Sequence, residues 1–556
     1  MKHRKPLSLL SAALAAHAIL LSARPAAAQE AAPAPAAAPK AEMSVVATDK
    51  EPLIPGKYQP TWDSLTQREV PDWFRDAKFG IWAHWGPQCQ PEHGDWYARN
   101  MYEESKGQYK SHLAEYGPDS KTGFKDIIHV WKAQNWNPEE LVALYKRAGA
   151  KYFFALANHH DNFDLWDSKY QEWNSVAIGP QKNLIAGWAK AARDNGLKFG
   201  VSVHAAHAWS WYSVSQGADK TGPLAGVPYD GKLTKADGKG QWWDGLDPQE
   251  LYEQRHPPTS LAWDWDKGSI PDQKYCEKFY NRTMDLINKY DPDLVYFDDT
   301  ALPLWPISDA GLKIAANYYN KSAASHDGKV ETVIFGKVLT PDQRKSIVWD
   351  IERGASNQIE PFPWQTDTCI GGWHYDRSLY DRKKYKSAAT VVHMLADIVS
   401  KNGNLLLNIP VRGDGTIDDI ERGVVTDIGD WMAIHSEAIY ATRPFKVFGE
   451  GPASDGAPIK AQGFNEGKGK AFTPDDVRYT TKGNALYVIS LGVPTKPLNL
   501  KTLGKTAGNL DKAIADVTLL GSDEKVAWAQ SDDALTLPPP ATPASKHTVV
   551  YKVTLK

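Results

Sequence analysis

Short apolar runs recur along the chain, and each tends to follow an amphipathic stretch of helical length. Lys78-Phe79-Gly80-Ile81-Trp82-Ala83 reads as a buried strand that ends at His84 and turns out through Trp85-Gly86. Asn137-Pro138-Glu139-Glu140 opens a helix: Asn137 caps, Pro138 suits the first position and two acids favour the dipole. That helix ends at Gly149, and the strand over 151–157 delivers Asn158-His159-His160-Asp161. A helix over 183–195, closed by Gly196, leads to the strand over 198–203 and to His204. A helix over 272–289 stops at Asp291-Pro292, because the residue before proline avoids helical geometry. Leu294-Val295-Tyr296-Phe297 follows, long enough for a strand buried on both faces, and ends on Asp298-Asp299. Thr332–Phe335, Ser346–Trp349 and Gly403–Ile409 read as further strands, with helices over 384–400 and 417–436.

Polar residues gather where these strands end. Helix-then-strand alternation predicts parallel strands with crossover helices, so the fold class is α/β, a (β/α)8-like catalytic barrel. From about Arg443 the helical period fades. Val477–Thr480, Ala485–Leu491, Val517–Leu520 and Thr548–Leu555 read as strands between Gly, Pro and Asp turns, which predicts a C-terminal β-sandwich. The barrel is expected over 56–445 and the sandwich over 446–556. Residues 215–262 are rich in Gly, Pro, Trp and Asp and break the rhythm. A loop this long is uncommon unless functional, so it reads as an insertion at the barrel mouth that shapes access.

The amino terminus has a basic start, an apolar run over 7–21 and Ala26-Ala27-Ala28, which reads as a signal peptide over 1–28. Residues 29–55 read as an Ala/Pro-rich linker. The expected location is periplasmic or secreted, with no membrane contact after cleavage. Three cysteines, Cys89, Cys276 and Cys369, lie far apart and lack metal-type spacing, so they read as buried thiols. A net charge of −3 over 556 residues makes no electrostatic case for nucleic acid. The 22 tryptophans suit cores and also suit stacking on sugar rings.

Strand ends supply His84, His159, His160, His204, Asp298 and Asp350 or Glu352. In a barrel these ends meet at one face. Histidine with aspartate can bind a catalytic metal. Alternatively, carboxylates do acid/base and nucleophilic work while histidines hold hydroxyls. The spacing lacks two histidines four apart on a helix, so no metal is assigned. Side chains alternate along a strand, so only one of Asp298 and Asp299 faces the site, and Tyr296 shares the face of Asp298.

Several motifs, taken together and in order, resemble family 29 of the glycoside hydrolases, the α-L-fucosidases. They are Lys78 to Ile81 with His84-Trp85-Gly86, Trp96 to Tyr102, His159-His160-Asp161 with Leu165-Trp166-Asp167-Ser168, and Trp173-Asn174-Ser175. Pro292 to Asp298, Gly403 to Asn408 with Gly413-Asp414-Gly415-Thr416, and Glu437 to Tyr440 with Thr442-Arg443-Pro444 complete the set. The resemblance spans roughly residues 60–445. It implies a retaining exo-α-L-fucosidase acting on a fucosylated glycan without a cofactor. By the same resemblance Asp298 matches the nucleophile, and His84, His159 and His160 match the histidines that hold fucose hydroxyls. Trp96 matches a sugar contact, preceded by Asp95 where the family usually has Glu. Trp82, Tyr296 and Trp373 sit where aromatics surround the sugar's C5 methyl, and Arg344 matches an arginine of the family's site. Glu352 matches the acid/base best by position; Glu360, Asp350 and Asp367 are its rivals. A related glycosidase such as an α-L-galactosidase, a catalytically impaired fucose-binding protein and a metal hydrolase are the alternatives.

Overall fold

The computed structural model describes residues 43–261, 265, 270–454 and 463–556. The expected signal peptide and the first part of the expected linker lie outside the described residues. Eight parallel strands close a barrel in sequence order. They are β1 (Phe79–Ala83), β2 (Tyr152–Asn158), β3 (Lys198–Val203), β4 (Leu294–Phe297), β5 (Val333–Gly336), β6 (Val348–Asp350), β7 (Trp364–Cys369) and β8 (Gly403–Asn408). The expected α/β barrel is what the chain forms.

Local chemistry explains the crossover helices. The Asn137 side chain accepts from the Glu140 N–H at 3.1 Å and Pro138 starts the helix Pro138–Arg147. Leu141, Val142, Leu144 and Tyr145 bury one stripe of it, each contributing roughly 1.5–3 kcal/mol by leaving water. Gly149 then turns at φ +101°, and a Cβ there would come within 2.7 Å of the Tyr440 hydroxyl. Gly149→Ala would therefore both strain the turn and push against that ring. In the helix before β4, Gln273–Tyr290, Asp272 caps the Tyr275 N–H at 2.8 Å and Asp291 ends it in the left-handed conformation.

Inside the barrel, Trp82, Tyr152, Phe154, Leu294, Tyr296, Val333, Phe335, Val348 and Leu406 form one packed core. These are alternate residues of their strands, as the pleat requires. Outward residues such as Phe153, Val295 and Ile334 instead join the core beneath the helices.

The C-terminal part has a five-stranded antiparallel sheet and a three-stranded one. The first contains β9 (Arg443–Glu450), β10 (Val477–Lys482), β11 (Ala485–Ser490), β13 (Ile514–Leu519) and β16 (Val549–Leu555). The second contains β12 (Leu498–Leu500), β14 (Ala529–Gln530) and β15 (Leu535–Leu537). Val477, Tyr479, Leu486, Val488, Leu535, Leu537 and Tyr551 fill the core between them. On the other face, Tyr487 and Ile489 join the barrel's core. Arg478, buried, reaches Asp397 of the helix Ala388–Ser400 at 2.6 Å.

Three expectations change and one helix is added. The stretch 43–55, read as linker, is strapped to the barrel: Val46 is buried, its N–H reaches Asp309 at 2.9 Å, and Ile54 N–H reaches Asn317 at 2.7 Å. Residues 215–261 are not structureless, since Asp230 accepts from Tyr102 at 2.7 Å and Tyr252 at 2.6 Å and pairs with Lys125. The helix Ala310–Ser325 was not read from the sequence, because it is buried on nearly every side and carries little helical period. The antiparallel sheet begins at Arg443, ahead of the expected boundary at 446.

Candidate active site

Carrying the inward parity to the strand ends, one step past them in every case but β7, generates most of the site. Trp82 is followed by His84, Ser202 by His204, Tyr296 by Asp298, Phe335 by Lys337, Asp350 by Glu352 and Gln365 by Asp367. All six of these following residues line one cavity of about 450 Å³. Strand β2 departs from strict alternation: its register shifts between Leu156 and Asn158, and Asn162 turns back at φ +63°. That break lets neighbouring His159 and His160 both line the cavity.

The histidine wall is buried and neutral. Burial, then the neighbouring His374 and His204, hold His84 well below the ordinary imidazole range. Burial, then His160 and His374, do the same to His159. Burial brings His204 down to about 4 despite the Asp298 charge. The ring orientations are set from behind. The Ala98 N–H donates to Gln88 Oε1 at 3.3 Å, so the Gln88 amide donates to His159 Nδ1 at 2.8 Å. His159 then carries its proton on Nε2. Both His84 ring nitrogens, Trp82 Nε1 and His204 Nε2 are buried without a hydrogen-bond partner among the described residues. Buried polar atoms are rarely left so, and hydroxyl groups of a ligand would satisfy them.

The carboxylate wall is charged and coupled. Asp298 Oδ2 meets His204 Nδ1 at 3.0 Å and His160 Nε2 at 3.2 Å. Lys337 Nζ donates to Asp298 Oδ1 at 2.6 Å and also to Glu352 Oε2. Burial works to raise Asp298, but the Lys337 ammonium and the two histidine bonds outweigh it and hold the carboxyl well below its usual range. For Glu352 the balance reverses. Burial, opposed by Lys337 and joined by the charges of Asp367 and Asp298, raises it to about 7. One ammonium serving both carboxylates limits the separation of those two oxygens to two hydrogen bonds end to end, about 5 Å.

Behind them, Asp367 accepts from the Tyr296 hydroxyl at 2.9 Å, while Gln365 donates to Asp350 at 2.8 Å. Burial, then the Asp367 charge, raises Asp350 well above the carboxylate range. Asp350 is therefore the protonated member of that pair. Asp299 also borders the cavity, but its carboxylate is buried and turned aside, accepting from the Thr300 N–H at 2.6 Å and the Leu304 N–H at 3.2 Å, which shapes the loop after β4.

Of the residues singled out from the sequence, Asp298, Glu352, His84, Asp95, Trp96, His159, His160, Tyr296, Trp373 and Trp82 all line the cavity. Trp82 packs against Tyr296 at 5.0 Å and Trp373 at 5.5 Å between ring centroids, an apolar floor. Asp95 accepts from the Trp373 and His374 N–H groups at 3.3 and 2.6 Å, so it also holds the loop that carries Trp373. Arg344 is not brought to the cavity: its guanidinium lies 3.4 Å over the Trp349 ring and 3.4 Å from Glu360. Glu360 is buried there, accepting from Ser356 at 2.5 Å, and Asp350 lies behind Asp367, so neither lines the cavity, whereas Asp367 does. No described residue of 215–261 lines it either; that segment buttresses Tyr102 and Lys125 from outside. Sequence reasoning missed Thr300, Lys337, Val338, Arg353, His374 and Phe464. The inward parity of β5 would have found Lys337; no local pattern marks Phe464.

Among the described residues, two histidine groups could hold a metal ion: His84, His159 and His374, and His159, His160 and His204, with ligand atoms within 4.8 Å of one another. In the second group His160 and His204 already direct a nitrogen at Asp298, and Gln88 occupies His159 Nδ1. Their chemistry fits hydroxyl binding at least as directly as metal ligation.

The sequence profile described as Alpha-L-fucosidase matches residues 45–437, and that of the Alpha-L-fucosidase C-terminal domain matches 470–556. The chain is 25% identical over 515 residues to tissue alpha-L-fucosidase of Homo sapiens, covering 88% of this chain and 90% of the relative. It is 27% identical to an alpha-L-fucosidase of Branchiostoma floridae over 507 residues, 88% of this chain and 93% of the relative. Among solved structures, a Thermotoga maritima alpha-fucosidase in complex with a mechanism based inhibitor superposes with a TM-score of 0.66 at 25% identity. That match covers 89% of this chain and all of the relative.

Proposed function

The chain belongs to the α-L-fucosidase family of glycoside hydrolases, and from that premise we propose that it releases terminal α-L-fucose from glycans with retention of configuration. The observation that carries the mechanism is Lys337, one ammonium bonded to both Asp298 and Glu352. Retaining glycosidases place their two carboxyl groups about 5–5.5 Å apart, and this arrangement agrees with that spacing. Asp298, held ionised, attacks the anomeric carbon. Glu352, raised to about 7, is substantially protonated at neutral pH and donates to the departing oxygen. The bond from the anomeric carbon to that oxygen breaks as the ester to Asp298 forms.

Esterification removes the Asp298 charge that helped raise Glu352. Glu352 then becomes the stronger acid and, once ionised, the base that takes a proton from water. Water attacks the anomeric carbon, fucose leaves with its original configuration, and Asp298 is restored. His159 Nε2–H and the His84 ring address hydroxyls, while Trp82, Tyr296 and Trp373 face the C5 methyl. The ring faces of that floor favour fucose over an L-galactoside, whose extra hydroxyl would lie against apolar carbon.

Export of the mature protein is part of the same proposal. It rests on the amino-terminal sequence; no described helix is long and apolar enough to cross a membrane. The test is NMR of the first sugar released from an aryl α-L-fucoside. The α-anomer is expected first; initial release of the β-anomer would overturn the assignment of Asp298 as nucleophile. Equal rates on the matched aryl α-L-galactoside would overturn the role of the aromatic floor.

A further inference from the structure

The C-terminal part contributes directly to the cavity. Phe464, in the connection between β9 and β10, lines it together with Val338, from the loop after β5, and Arg353, from the loop after β6. These three share an unusual backbone: φ is +55° at Phe464, +49° at Val338 and +44° at Arg353. A left-handed conformation is costly for side chains of this kind, above all a β-branched one, and persists where the surroundings enforce it. Val338 is also 75% exposed and Phe464 59% exposed. Two bulky apolar side chains are thus held out at the mouth of a polar cavity by backbones that do not favour it.

Phe464 is tied to one place in the reaction. Its N–H donates to the Glu352 carbonyl at 2.8 Å, and the Glu466 N–H donates to the Arg353 carbonyl at 3.0 Å. Asn465 exchanges two hydrogen bonds with the Ala355 main chain, both 2.9 Å. Glu466 meets Thr368 at 2.8 Å and Lys386 at 2.7 Å. The segment therefore forms a short clamp along the loop that carries Glu352. The acid donates its proton to the leaving oxygen, so the leaving group lies on the Glu352 side of the cavity. Phe464, whose main chain is anchored to Glu352's own carbonyl, stands on that side.

We propose that Phe464 and Val338 form the subsite for the leaving group, a pyranose residue whose apolar C–H face packs on the Phe464 ring. This rests on the fucosidase reading above and adds its acceptor side. Arg353 and Thr300, which also line the cavity, are placed to meet that sugar's hydroxyls at its edge. A sugar face on an aromatic ring is an apolar contact that tolerates several linkages. The subsite accordingly selects for the presence of a second sugar more than for its attachment point.

The test compares two substrates of one enzyme: α-L-fucosyl fluoride, which has no leaving sugar, and the fucosyl disaccharide that the wild type cleaves fastest. Fluoride hydrolysis by the wild type establishes the fucosidase reading; without it that reading fails before the subsite is examined. The measured quantity is the ratio of kcat/KM for the disaccharide to that for the fluoride. Phe464→Ala is expected to lower the ratio about fivefold. Val338→Ser, on a separate element, should lower it about twofold, and Phe464→Trp should keep it near the wild-type value. A ratio unchanged in both Phe464→Ala and Val338→Ser, including a parallel fall on both substrates, would overturn the proposal.

Discussion

The two walls of the cavity are built from the same strand-end positions yet differ in electrostatic design. On the side of β1 to β3, His84, His159 and His204 are buried, and burial holds them neutral. Their orientations come from fixed partners such as Gln88 and Asp298. On the side of β4 to β7, Asp298, Lys337, Glu352 and Asp367 share charge, and each one's protonation depends on the others. A neutral wall can select hydroxyl geometry without titrating near neutrality. A coupled wall can move a proton, because two carboxyls that share one cation are driven to different affinities by their other neighbours, histidine bonds on Asp298 and burial with two nearby carboxylates on Glu352.

Removing the charge that attacks is the largest break. Asp298→Asn is expected to lower kcat on an aryl α-L-fucoside by at least ~10⁴-fold, and Asp298→Gly with added azide should form fucosyl azide. Unchanged turnover in Asp298→Asn would place the nucleophile elsewhere. Next is Glu352→Gln, expected to cost ~10³-fold on a poor leaving group and far less on fluoride, which needs little proton donation. It should also erase the alkaline limb of the pH profile. That limb belongs to an acid that must be protonated, so activity falls as pH rises through about 7. A limb that survives Glu352→Gln would assign it to another group.

Lys337→Met separates the walls most cleanly. The ammonium favours the ionised form of both carboxyls, so its loss raises both. The alkaline limb should move to higher pH, an acid limb should enter from Asp298, and kcat should fall by roughly 10²-fold. Lys337→Arg should retain the wild-type pH profile in large part. An unshifted profile in Lys337→Met would mean that the ammonium does not couple the pair. Smallest is His159→Ala on the neutral wall, expected to cost about 1–3 kcal/mol in kcat/KM by removing one hydroxyl partner, with the pH profile unmoved. A displaced limb there would show that the walls are not independent.

Much of this was legible before the fold was known. Apolar runs after amphipathic stretches marked β1 to β6 and β8, and their polar ends supplied Asp298, Glu352 and the histidines. Strand β7 was missed because Trp364-Gln365-Thr366-Asp367-Thr368-Cys369 has polar residues facing the barrel interior, so it lacks an apolar run. Arg344, which the resemblance matches to an arginine of the family's site, instead stacks on Trp349 outside the cavity. Tertiary placement, not residue type, decided its partner.

The order of the motifs, the strand periodicity and the alternation that separates Asp298 from Asp299 belong to the sequence, because each depends on neighbours along one chain. The pairing of Asp298 with Glu352 through Lys337 does not, since it joins the ends of three strands. Neither does the arrival of Phe464 beside the Glu352 carbonyl, from a strand connection more than a hundred residues away in the chain. Proton affinities follow from burial and from charges a few ångströms away, and in this protein those charges are neighbours only after the barrel has closed.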